Sequence, residues 1–177
     1  MCRIDTLLKQ DRKLFHTRDL ALLWGIDNDN TLYTVIKRYV QKGILIPIQK
    51  GFYSALPLNK ISPLELGMSF LHGYSFVSCE YVLALSGIIF QSSDYITLVS
   101  SVSRKFSVVS HNYLVRKLKD QYLFNDIGIT TRDGIRIATV ERAVADLLYF
   151  NPKYHFDNRK SIDWHYVQKI QKEVNYI

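Results

Sequence analysis

Between Leu14 and Ala55 the hydrophobic pattern changes period more than once, and the order of the changes leaves few folds open. Thr17 is a good cap for a helix that runs through Trp24, with Leu20 and Leu23 on its inner side and Gly25 to end it. Gly25 to Asn30 is turn chemistry, rich in Gly, Asp and Asn. A second helix follows from about Asn30 to Lys42, where Leu32, Val35, Ile36, Tyr39 and Val40 fall on one stripe. Asn30, Thr31, Tyr33, Thr34, Lys37, Arg38 and Gln41 fall on the other side. After Gly43 the run Ile44 to Ile48 is strand-like. Gln49, Lys50 and Gly51 then turn the chain, and Phe52 to Ala55 returns as a second strand. Upstream, Ile4, Leu7 and Leu8 predict an amphipathic helix over residues 3–13, joined to the rest by a brief apolar link at Leu14 and Phe15.

Helix, turn, amphipathic helix and tight hairpin, in that order, is the arrangement of a winged helix-turn-helix, which points to double-stranded DNA as a partner. The outer face of the second helix carries amide and hydroxyl groups near its start and cations further on, the residue types that reach base edges and phosphates. Asn30, Thr31, Tyr33, Thr34, Lys37 and Arg38 are the candidate DNA-contacting residues, with Lys50 added from the hairpin. Charge agrees with this reading. Residues 1–60 hold ten Lys and Arg against five Asp, a net +5, whereas residues 61–177 hold thirteen against eleven acids, a net +2. A plain alternative stands beside it, since any amphipathic helix has a solvated polar face. Asp27 and Asp29 place negative charge where phosphates would lie, although they also suit the helix dipole.

Leu56 to Ile61 reads as a linker between two units, residues 1–56 and 62–177. Ser62, Pro63 and Glu65 predict a capped helix that ends near Gly73. Tyr74 to Val77 is β-prone, Ser78 can cap another helix, and Gly87 can terminate it. Strands are expected at Tyr95–Val99, Phe106–Val109 and Tyr113–Leu118, and a hairpin joins Ile127–Ile129 to Ile135–Ile137 through Arg132, Asp133 and Gly134. A helix from Thr139 to Phe150 is expected to bury Val140, Val144, Leu147 and Leu148 and to leave Glu141, Arg142 and Asp146 more exposed. Ser161 is the expected cap of a last helix carrying Trp164, Val167, Ile170 and Val174. The fold class is therefore α+β: an N-terminal winged helix-turn-helix followed by a larger mixed domain.

Few chemistries remain open. No phosphate loop, dinucleotide fingerprint or nucleophile elbow is present, so no cofactor is expected. Asp27 to Asn30 resembles the start of a calcium loop, but Leu32 and Arg38 occupy the positions that need glycine and glutamate. Cys2 and Cys79 are too sparse for a disulfide framework or a zinc site, and His155 and His165, flanking Asp157 and Asp163, read as a polar loop rather than a metal centre. No stretch approaches the ~20 apolar residues of a membrane span, so a membrane is not an expected partner and a reducing cytoplasm is the expected setting. Glu80, Glu141 and Asp146 are carboxylates that an enzyme could use, but nothing pairs them with a base, a metal ligand or a phosphate loop. Arg142 and Asp146 have the spacing of an i,i+4 ion pair. A non-enzymatic protein is expected. An enzyme acting on nucleic acid or on protein, or a pure interaction adaptor, are the alternatives.

Several segments, in their order and spacing, resemble the antitoxins of AbiE-type (type IV) toxin-antitoxin systems. They are Lys42-Gly43-Ile44-Leu45 running into Gly51-Phe52-Tyr53, Ser78-Cys79-Glu80-Tyr81-Val82-Leu83 through Gly87-Ile88, Ile96-Thr97-Leu98-Val99, and Ile137 to Leu148. The resemblance implies a bacterial, cytoplasmic autorepressor that binds inverted repeats in its own promoter and counteracts a nucleotidyltransferase-like toxin. It also implies Glu80, Glu141, Arg142 and Asp146 as candidate residues of the antitoxin domain. Two departures are visible: Ile46 and Pro47 stand where similar proteins tend to carry basic residues, and Val140 stands where their helix often opens with proline.

Overall fold

The computed structural model describes residues 3–91 and 93–177; the expectation for Cys2 lies outside them. The fold is mixed α+β with two sheets. The chain divides into two compact units, Met1–Phe70 and Leu71–Ile177.

In the first unit, α1 (Arg3–Leu8) stops earlier than residue 13 because Lys9 to Lys13 offer no apolar side chain to hold a further turn. Leu14 and Phe15 are more than a link. They begin a strand, β1 (Leu14–His16), that pairs antiparallel with β3 (Phe52–Ser54) in the register Leu14↔Ser54. The following helix, α2 (Thr17–Trp24), is capped one residue before the expected position, by His16, whose N–H donates to the Asp19 carboxylate at 2.7 Å. Thr17 instead donates its own N–H to the Gly51 carbonyl at 2.9 Å. Gly25, at φ 60°, closes the helix.

Helix α3 (Asp29–Gln41) matches its predicted stripe: Leu32, Val35, Ile36 and Tyr39 are buried and Val40 is half-buried. Thirteen residues make a marginal helix in isolation, so this burial, about 1.5 to 3 kcal/mol per large apolar side chain, is what holds it. Gly43 lies at φ 69° beyond its end, and the N–H groups of Gly43 and Ile44 donate to the carbonyls of Val40 and Tyr39 at 3.0 and 2.9 Å, a Schellman close. The hairpin of β2 (Ile46–Gln49) and β3 follows, with a register shift between Pro47 and Gln49. Strand order is β1-β3-β2, so Pro47 lies on an edge strand, where a missing N–H is tolerated. Helices α1 to α3 share a core of Leu7, Phe15, Leu20, Trp24, Leu32, Val35, Ile36 and Tyr39, with Trp24 and Tyr39 edge to face at 5.2 Å.

The division between units falls after Phe70, beyond the expected linker, which forms a short 3-10 turn at Leu58–Lys60. Helix α4 (Pro63–Leu71) is held in the first unit by an ion pair between Lys13 and Glu65 at 3.5 Å, by the Phe70 ring against Phe52 at 5.5 Å, and by a hydrogen bond between the His16 ring and the Ser69 carbonyl at 2.9 Å.

The second unit is built on a six-stranded mixed sheet with the order β6-β7-β5-β4-β9-β8. Its strands are β4 (Ser75–Val77), β5 (Tyr95–Ser100), β6 (Arg104–Val108), β7 (His111–Lys117), β8 (Ile129–Arg132) and β9 (Ile135–Ala138). The strands expected around residues 95–118 and the hairpin at Asp133-Gly134 are present, but β8 begins only at Ile129, after Ile127 and Gly128, and takes in Arg132, and β5 with β7 and β4 with β9 run parallel. The helices are α5 (Glu80–Leu85), α6 (Asp120–Leu123), α7 (Val140–Phe150) and α8 (Trp164–Glu173). Gly87, at φ 67°, ends α5 as expected. Two caps differ. Ser78 does not cap α5, because its hydroxyl is turned inward, and α8 is capped by Asp163 rather than Ser161, through the Tyr166 N–H at 3.0 Å.

Candidate nucleic-acid interface

Asn28 fixes the start of α3: its Oδ1 accepts the Thr31 N–H at 3.0 Å and the Thr31 hydroxyl at 3.2 Å. Thr34 donates its hydroxyl to the Asn30 carbonyl one turn back, at 2.7 Å. Both hydroxyl protons are thus used by the helix itself, and what Thr31 and Thr34 show to solvent is oxygen lone pairs and methyl groups. Asn30, Thr31, Tyr33, Thr34, Lys37, Arg38 and Gln41 are all exposed, and Tyr33 is 56 % open to solvent. Among the described residues neither Lys37 nor Arg38 is paired with a carboxylate. Lys50 is exposed in the hairpin turn, where Gly51 takes φ 78°. The arrangement offers a row of acceptors and methyls at one end of a helix and unneutralised cations at the other.

The four residues of the second unit do not form one site. Arg142 and Asp146 do make the expected ion pair, Nε to Oδ1 at 2.8 Å, but both are fully buried, which corrects the expectation that they are more exposed. The reason is that α7 is covered on every side: Ala143, Val144, Ala145 and Leu147 are buried as well, and the polar side that Arg142 and Asp146 share is closed over by the chain at Asn125 and Ile127 and by Tyr176. Asp146 also accepts from the Ser78 hydroxyl at 2.7 Å and the Tyr176 hydroxyl at 2.5 Å. Arg142 donates to the carbonyls of Asn125 and Ile127 at 2.8 and 2.7 Å. Burial alone would lower the Arg142 pKa, but Asp146 and Tyr176 outweigh it and the net shift is upward, so the guanidinium stays charged. Burial, reinforced by the Asp146 charge, pushes the Tyr176 phenol up and keeps it a donor.

Glu80 is paired with Arg116 instead, and Glu141, on the half-buried side of α7, joins neither group. Sequence reasoning missed Ser78 and Tyr176, the hydroxyls that complete the Asp146 shell. Cys79, between Ser78 and Glu80, sits at φ 57° in a sharp strand-to-helix turn, but its thiol is fully buried. Burial and the nearby Asp146 and Glu80 charges push that thiol up, away from the thiolate a nucleophile needs. Asp157 accepts the Phe90 N–H at 2.7 Å, and among the described residues no group of three or more His, Cys, Asp or Glu could hold a metal ion. Among the same residues no helix is long and apolar enough to cross a membrane.

Tyr74 provides a pH-dependent contact. Burial, then the hydrogen bond to Asp126 at 2.5 Å and that carboxylate's charge, push its phenol up to about 12. The folded value lies above the unfolded value near 10, so the contribution of Tyr74 is complete below about pH 10 and lost as pH rises through 12. Thermal unfolding followed from neutral to alkaline pH is expected to show Tyr74→Phe losing less stability over this window than the unsubstituted chain. Identical alkaline profiles would contradict the assignment.

Fold and site together define a two-unit α+β protein with an exposed, capped, cation-bearing helix in its first unit. No protein-family model matches the chain, and no curated protein matches it.

Proposed function

We propose that this chain is a DNA-binding transcriptional autorepressor and the antitoxin of a type IV, AbiE-like toxin-antitoxin or phage-defence system. In this reading the first unit is a winged helix-turn-helix that binds inverted repeats in its own promoter, and the protein works in the cytoplasm against a nucleotidyltransferase-like toxin. The observation that carries the DNA half is the outer face of α3, with Lys37 and Arg38 exposed and, among the described residues, without a carboxylate partner, on a helix whose opposite face is buried. Thr31 and Thr34, with their protons spent, would accept from base amino groups or pack their methyls on a thymine methyl. Lys37, Arg38 and Lys50 would supply phosphate or guanine contacts. The antitoxin half rests on the resemblance of the segments through Ile137 to Leu148. Of the three carboxylates of the enzymatic alternative, Asp146 is enclosed by Arg142, Ser78 and Tyr176 and Glu80 is held by Arg116, while Glu141 stands apart from both.

Binding to a labelled duplex of the promoter region upstream of the reading frame, followed by fluorescence anisotropy, tests the DNA half. Lys37→Ala and Arg38→Ala are each expected to weaken binding by about 1 to 3 kcal/mol where the side chain reads a base, and to flatten the salt dependence where it meets a phosphate. Unchanged affinity and salt slope in both variants would remove α3 from the interface. For the antitoxin half, co-expression with a neighbouring nucleotidyltransferase-like reading frame is expected to restore growth that the toxin alone suppresses. Growth arrest that persists at equal protein levels would leave only the regulator.

A further inference from the structure

We propose that the cleft beside the Glu80–Arg116 pair binds a flat ring bearing an amide, whose N–H donates to Glu80 Oε2 while its carbonyl accepts from Arg116 Nε. The site belongs to the second unit and does not depend on any DNA contact by α3. Arg116, on β7, donates from Nη2 to Oε1 of Glu80 at the start of α5, which is one half of the two-pronged contact these groups can make. The other half is open. Glu80 Oε2 and Arg116 Nε are buried and, among the described residues, have no hydrogen-bond partner. Thr97 Oγ1 is a third such atom, on a residue only 1 % exposed. Thr97 pairs with Leu114 and Val99 with Arg116, so Thr97 and Arg116 are diagonal neighbours on one face of the sheet. The Ser78 N–H donates to the Thr97 carbonyl at 3.2 Å, which ties this position to the turn before Glu80. The remaining orphaned atom among the described residues, Ser75 Oγ, belongs to the opposite face, since Ser75 pairs with Ser100.

Buried polar atoms in folded proteins keep partners, so unpaired ones gathered at a single ion pair point to a group that binds there. Their chemistry narrows the choice. A carboxylate oxygen accepts, a guanidinium N–H donates, and the two charges cancel, so the complement is a neutral group with a donor beside an acceptor. An amide has this pattern, and the Thr97 hydroxyl can give or take one bond more. An anion would meet the carboxylate and a cation the guanidinium. Glu80 also lines an open cleft of about 230 Å³ together with Tyr81, Ala84, Leu85 and Tyr95, below the roughly 300–1,000 Å³ of pockets for larger ligands. That space suits a single ring, and tyrosine and aliphatic walls favour a flat one. The Arg116 guanidinium is braced over the Phe150 ring at 5.5 Å, which holds its free Nε in place.

Two probes present the amide in different settings, uridine as the cyclic amide of a base and benzamide as an open carboxamide. Each is titrated into the full chain by ligand-observed NMR beside its methylated form, 3-methyluridine or N,N-dimethylbenzamide, which lacks the N–H donor. At least one probe is expected to bind, and methylation to weaken it by about tenfold or more, because Glu80 Oε2 is then left unpaired. The arm that binds tells a base from a carboxamide. Arg116→Lys keeps a cation for Glu80 but removes Nε, and is expected to lower the affinity of that probe by about tenfold while thermal unfolding stays near that of the parent. Equal binding of the methylated and unmethylated forms, unchanged affinity in Arg116→Lys, or no binding of either probe overturns the site. The methylation comparison uses the unsubstituted chain, so it decides the matter even if the variant does not fold. Promoter binding by the first unit is expected to be the same in Arg116→Lys, so failure of this site leaves the DNA-binding reading standing.

Discussion

Arg142→Met is expected to destabilise the second unit by about 3 to 5 kcal/mol, because it removes one partner of a fully buried ion pair and leaves the other charge without compensation. The loss reaches beyond α7. The guanidinium holds the carbonyls of Asn125 and Ile127, so the segment entering β8 loses its hydrogen-bond donors, and the Tyr176 hydroxyl keeps an acceptor whose charge is no longer balanced. Chemical denaturation of Arg142→Met, Asp146→Leu and the double variant separates these contributions. The double variant is expected to be more stable than the sum of the single losses, since it has no orphaned charge. Additive losses would mean that the pair contributes through shape alone. Catalysis is not needed to explain this buried arginine: its contacts join α7 to the chain before β8, and Asp146 carries the connection on to Ser78 and the C-terminal Tyr176.

That network was only half legible in the sequence. The i,i+4 spacing of Arg142 and Asp146 gives the pairing, but two charges on a helix invite an exposed reading. What buries them is the chain at Asn125 and Ile127 and the ring of Tyr176 closing over the polar side of α7, contacts distant in sequence that no local pattern announces. Helix α3 was readable because local features agree there: a 3.6-residue stripe, turn chemistry before it and a Gly where the helix must close, while its Asn28 cap emerged only from the structure. Strand β1 was not, since three residues are too few for alternation to show and its partner β3 lies far along the chain. The parallel pairings of β5 with β7 and β4 with β9 leave no local trace either. Ser78 shows the same limit from the other side: a residue type that favours helix caps was claimed by a buried carboxylate on α7. For the α3 face, residue type and exposure agree between sequence and structure. What it touches rests on chemistry that binding experiments decide.

Gly128→Ala is the second large effect, and a comparison with Gly134→Ala shows why. Both glycines have left-handed backbone, φ 71° and 77°, where an L side chain costs about 1 to 3 kcal/mol. At Gly134 an added Cβ meets nothing within 4 Å, so that strain is the whole expected loss. At Gly128 the same atom falls 2.7 Å from the Arg142 Cβ and 3.3 Å from the Ile170 Cδ1. A Cβ moves only with its backbone, and Arg142 sits on a buried helix with its guanidinium held by Asp146 and two carbonyls, so the crowding has little way to relax. A further loss of about 1 to 3 kcal/mol, typical of overpacking, is expected at Gly128 alone. Measured by denaturant unfolding, Gly128→Ala should therefore be less stable than Gly134→Ala by that margin. Combined with Arg142→Met it should lose less than the two changes do separately, because both act on the seat of Arg142. Equal losses at the two glycines would mean that the turn before β8 yields freely, and that the tight seat of Arg142 does not constrain the fold.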